Sequence, residues 1–150
     1  MAYHYKLESL LRVRQNLEEQ CQHKLAHEFF VLDNHKKYLD ELRQQRLDFF
    51  AALEEEKKKV MSVAMFSFYV EAIHIKNRHI AFQKTAIEAQ KAAIENVRAE
   101  LAEKIKERKV VERLKEKDFL AYTRELQHKI QVESDEMAVM RFGRKALVSL

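Results

Sequence analysis

Proline is absent from the 150 residues, and glycine occurs once, at Gly143. Chain reversals need residues that fix φ near −65° or tolerate positive φ, so few tight turns are available. That excludes a loop-rich α/β fold and any glycine-rich loop that could cradle a nucleotide phosphate. Tryptophan is missing and aromatics are sparse, which argues against a large globular core. Cys21 is the sole cysteine; no internal disulfide can form, and a reducing compartment is expected. No stretch approaches the ~18 apolar residues of a membrane span, and the opening Met1-Ala-Tyr-His-Tyr-Lys-Leu7 lacks the basic-then-apolar layout of a secretory signal. A cytoplasmic protein is the expectation.

What is present is helix. Charged residues make up 35% of the chain and their net charge is only +4, the whole excess falling after residue 60. That balance suits a long-helix or coiled-coil class and does not suggest an obligate nucleic-acid binder. Ile73, Ile80, Ile87, Ile94 and Leu101 recur at every seventh position, which places them on one narrow stripe of a helix. A looser seam of threes and fours runs through Leu7, Leu11, Cys21, Leu25, Leu32 and Leu39, then Leu42, Phe49 and Leu53. The run Glu54-Glu55-Glu56-Lys57-Lys58-Lys59 sets acids three and four residues before bases, which supports helix up to that point. Residues 60–70 then carry no charge, and Ser62 and Ser67 are the candidate caps.

The fold expected is all-α: an antiparallel coiled-coil hairpin forming one domain over 1–150. Its first helix spans about 3–59, its turn about 61–66, its second helix about 67–140, and a frayed tail 141–150. At 1.5 Å per residue the arms are roughly 80 and 110 Å long, so the second overhangs the first. Folding back about Val63 sets Leu53 opposite Ile73, Leu39 opposite Ile87, Leu32 opposite Ile94, Leu25 opposite Leu101, Cys21 opposite Ile105, Leu11 beside Leu114 and Leu7 beside Phe119. A shift of one heptad fits nearly as well. Arg14, His35 and Arg46 interrupt the first seam, and Lys84 and Lys91 lie near the second; polar groups there lower stability and can fix register.

Several features invite a functional reading. Phe68, Ala72, Ile75, His79 and Phe82 step by four and three on the side of the second helix opposite Ile73 and Ile80. A two-helix hairpin needs one stripe per helix, so this spare stripe marks a partner site unless the first arm wraps over it. The uncharged 60–70 segment either closes the hairpin as a cluster or touches a partner, the cluster being the simpler reading. Bases outnumber acids from Lys104 to Lys117, but no aromatic interleaving or zinc spacing accompanies them, and a solvated or protein-facing flank is expected. His23 and His27 are four apart without a further ligand cluster, so no metal is expected. Cys21 lies on the seam without a base and reads as a small core residue. Without a concave pocket to exclude water, catalysis is not expected, nor a cofactor or small-molecule ligand.

Two segments add a resemblance. The opening Tyr5-Lys-Leu7-Glu-Ser-Leu10-Leu11-Arg-Val-Arg14-Gln-Asn-Leu-Glu18-Glu19 is similar to the start of the flagellar export protein FliJ family: an aromatic, a leucine pair, an arginine, then acids. The ending Glu133-Ser-Asp135-Glu136-Met-Ala138-Val-Met-Arg141-Phe-Gly-Arg144-Lys145 looks like the family's closing acidic pair followed by spaced arginines. The resemblance implies a non-enzymatic stalk of the flagellar type III export apparatus. Such proteins bind the hexameric export ATPase, the cytoplasmic domain of the membrane export gate, and export chaperones, at the cytoplasmic side of the inner membrane. It assigns gate contact to the stripe Phe68, Ala72, Ile75, His79 and Phe82, where Ala72 is smaller and Ile75 larger than the family pattern. It assigns ring contact to Leu7, Leu11, Arg12 and Arg14 with Arg141 and Arg144 nearby. A plain structural tether, or the equivalent stalk of a virulence secretion system, is the alternative.

Overall fold

The computed structural model describes residues 3–148, and all of its regular structure is helical: α1, Glu8–Lys57, and α2, Val63–Val148. The all-α expectation holds; the two helices pack against each other, with no strand among the described residues. The chain forms two compact units, residues 19–103 and residues 1–18 with 104–150.

Residues 19–103 form a hairpin. Its core joins Leu32, Leu39 and Leu42 of α1 to Ile80, Ile87 and Ile94 of α2, with Leu25 packed against it. Cys21, Leu53, Ile73 and Val97 are buried along the same seam. Deep burial of these aliphatic side chains is the main stabilising term, each worth about 1.5–3 kcal/mol. The heptad of isoleucines thus does what its spacing implies.

The register is one heptad away from the expected pairing. The buried side-chain amide of Gln83 donates to the His35 carbonyl at 3.0 Å, and that of Gln90 to the Glu28 carbonyl at 2.9 Å. Leu32 rather than Leu39 accordingly occupies the level of Ile87. The cause is the turn. α1 stops at Lys57, the amides of Lys58 and Lys59 bond back to the carbonyls of Glu55 and Glu56, and α2 starts at Val63 instead of about 67. Ser62 is the cap: its Oγ accepts the Met65 amide at 3.2 Å, satisfying one of the free donors that open a helix. Moving a fold point along the chain displaces the facing register by twice as much, so a reversal a few residues early costs a whole heptad.

Most polar interruptions of the seam find partners. His35 meets Gln83 through Nδ1, and Arg46 donates to Asn77 Oδ1 at 3.1 Å. Lys84 is exposed, and Lys91 pairs with Glu88 one turn back. Residues 60–70 do not close into the expected cluster: Val60, Val63, Met65, Phe66 and Phe68 are exposed around the turn.

In the other unit, the segment before α1 is not helical, contrary to the start expected at about residue 3. Residues 3–5 have no regular structure and 6–7 turn into α1. Tyr5 is buried with Leu11 and Val111, and its hydroxyl donates to the Val111 carbonyl at 3.3 Å. Tyr3 packs edge-on against Phe119, centroids 5.1 Å apart, and beside Tyr122. These two tyrosines take the places expected of Leu7 and of the Leu11–Leu114 pair, and leave Leu7 and Leu114 exposed. At the other end α2 stays helical through Gly143 to Val148, beyond the expected limit of about 140. The glycine takes no positive φ.

Candidate partner-binding site

The spare stripe of α2 is built by the same period that buries the seam. Ile73, Ile80 and Ile87 turn toward α1, so side chains half a helical turn away must turn outward. Phe68 is 62% exposed and Phe82 77%, with Ile75 and His79 also exposed and Ala72 half-buried. α1 does not wrap over them. Phe68 stands edge-on to Tyr69, centroids 5.7 Å apart. Its ring forms one wall of a shallow groove whose other walls are Gln45, Asp48, Phe49 and Ala52 of α1 and Tyr69 and Lys76 of α2. Lys76 is anchored there by donating to Gln45 Oε1 at 2.6 Å. The arrangement offers a protruding aromatic row with a polar border, which suits an apolar protein surface.

The residues expected to face a ring do not form one cluster. Leu11 is buried in the Tyr5–Val111 core, and Arg14 donates to Glu107 at 2.8 Å, so both are engaged within the chain. Leu7 is exposed in the turn before α1 and Arg12 on its second turn. Arg141 and Arg144 are exposed on α2, nineteen residues or more past Tyr122, where Tyr3 packs. Along a helix that is about 28 Å. The arrangement gives two separate exposed basic points.

Of the seven bases from Lys104 to Lys117, Lys104, Arg108 and Lys115 are turned to acids of this unit. Arg108 binds Glu18 through Nε and Glu112 through Nη1, the latter at 2.7 Å, and Lys115 reaches Glu8 at 2.9 Å. The hydrogen bonds to Glu112 and Glu18 raise the Arg108 pKa above its ordinary value against a smaller desolvation effect, so its charge is fixed. Lys106, Lys109, Arg113 and Lys117 are exposed, so the stretch is part solvated and part turned to the chain's own acids.

The N-terminal tyrosines were not singled out as a site, although Tyr5 stands in the opening motif. Tyr3 donates to Asp118 Oδ2 at 2.9 Å. Desolvation first, then that bond and the carboxylate's charge, push its pKa up to about 12. Aromatics just before the first seam leucine were the available signal; nothing in their spacing distinguishes a strap from a helix turn. Gln83 and Gln90 were also missed, because a glutamine at the seam edge reads as solvated until its partner carbonyl is placed.

His23 and His27 are exposed. Among the described residues no group of three or more His, Cys, Asp or Glu is placed to hold a metal ion. Cys21 is buried, with Sγ 3.9 Å from the Val97 carbonyl oxygen. Among the described residues no helix is long and apolar enough to cross a membrane.

Compared with known proteins, the chain matches a family model described as "Flagellar FliJ protein" over residues 3–147. No curated protein matches it. No solved structure matches it either.

Proposed function

This chain belongs to the flagellar FliJ protein family, non-catalytic components associated with flagellar protein export, and we propose that it acts there as a coiled coil that binds the hexameric export ATPase. In this reading it promotes assembly and turnover of the ATPase ring, and links the ring to the membrane export gate and to export chaperones. It works on the cytoplasmic side of the inner membrane, held there through its partners.

The observation that carries the reading is the family match over nearly the whole chain. The exposed stripe of Phe68, Ile75 and Phe82 supports the gate contact, because it is apolar, in one row and uncovered by α1. The exposed cations Arg12, Arg141 and Arg144 support the ring contact. An asymmetric helix pair inside a symmetric ring meets each subunit differently, so exposed cations can pair with successive subunits and favour the closed ring. Arg14 acts in this scheme through Glu107, holding α1 on α2 behind the contact.

The test is the turnover rate and hexamer fraction of purified export ATPase with and without this chain. Both rise near stoichiometric ratio if the reading is right, and Arg12→Ala or Arg141→Ala diminishes the rise. No change in either, with a fully helical chain, leaves a tether or gate-only factor in its place.

A further inference from the structure

The seam of α2 that α1 and the N-terminal segment cover does not stop where they stop. Arg108, Val111, Lys115, Phe119 and Tyr122 all meet them. Steps of three and four then continue on the same side through Leu126 and Ile130 to Met137, Met140 and Leu147, with Glu133 and Arg144 in the two remaining seam positions. All seven are exposed. A coiled-coil seam therefore extends for about six helical turns without a covering helix among the described residues.

The chemistry of that seam fits itself. About a point between Ala138 and Val139, an antiparallel copy sets Ile130 against Leu147, Met137 against Met140, and Glu133 against Arg144. Every pair is apolar with apolar or acid with base, and two-fold symmetry makes each occur twice. A parallel copy would instead oppose Glu133 to Glu133 and Arg144 to Arg144, which is repulsive. The paired region ends before Tyr122, where Tyr3 already occupies the seam, so docking displaces nothing.

We propose that a second copy of this chain docks antiparallel along residues 130–147 of α2, giving a two-fold homodimer through the exposed seam. The contact covers Arg141 and Arg144, so a dimer cannot use them on a ring, and ring binding and self-association compete. The dimer follows from this chain alone and stands whether or not an ATPase is its partner.

Sedimentation equilibrium of the full chain, from micromolar to near-millimolar concentration, tests it with three variants. Glu133→Arg or Arg144→Glu alone opposes like charges at two symmetric places, and raises the dimer dissociation constant about tenfold. Together they restore opposite charges and bring it back to within about twofold of the unmodified chain. The two positions are eleven residues apart on one helix, too far to pair within a copy, so recovery reports contact between copies in the antiparallel register. Circular dichroism confirms that helicity is kept, both side chains being exposed. A chain that stays monomeric throughout, a dimer indifferent to both single reversals, or a double variant that fails to recover overturns the proposal.

Discussion

At the scale of single residues, the polar groups do the sorting that the aliphatic ones cannot. Isoleucines seven apart look alike to every heptad of the partner helix, so burial alone leaves several registers close in energy. Gln83, only 6% exposed, has its amide bound to both the carbonyl and the ring nitrogen of His35, and a slip would leave it without them. Gln83→Ala is expected to lower stability by about 1–2 kcal/mol in urea unfolding. Tyr3 gives a pH dependence. Its folded pKa is raised to about 12 from an ordinary 10.0, so the folded state holds the phenol proton more tightly than the unfolded one. The contribution is complete below about pH 10 and is lost as pH rises toward about 12. The fall in unfolding midpoint across that range should therefore be steeper in the unmodified chain than in Tyr3→Phe.

At the scale of elements, the two helix starts show how local chemistry sets long-range pairing. Ser62 caps α2 through the Met65 amide. Ser62→Ala should cost about 1 kcal/mol and speed amide exchange in the first turn after Val63, leaving the seam protected. Both serines were legible as caps, but the uncharged run after Val60 looked like the turn itself. In fact those residues open α2 with their apolar side chains exposed. α1 begins late for a different reason: Tyr3 and Tyr5 gain more by reaching across to Phe119, Tyr122 and Val111 than by adding a turn of helix. Within the hairpin core Leu42 is only 2% exposed. Leu42→Ala should destabilise by about 3 kcal/mol, by the lost transfer energy and the cavity left between two helices.

At the scale of the whole molecule, what matters is which faces the helix pairing leaves over. If the stripe of α2 is the gate contact, replacing Phe68 and Ile75 with Ala weakens binding to the gate's cytoplasmic domain at unchanged helicity, because neither side chain is in the core. Titration calorimetry against that domain reads it, and an unaltered affinity removes the stripe from the proposal. The sequence by itself determined the all-helical class, the identity of most core residues, the spare stripe and the family, since a backbone without proline and with heptad spacing leaves one secondary structure and a fixed inside and outside. Tertiary structure alone decided the heptad register, the exchange of Leu7 and Leu114 for Tyr3 and Tyr5 in the core, and the internal use of Leu11 and Arg14. Those outcomes depend on where two amides find carbonyls, where one serine caps, and which acid lies within reach of an arginine. Such distances join residues far apart in the chain, and a repeating pattern does not encode them.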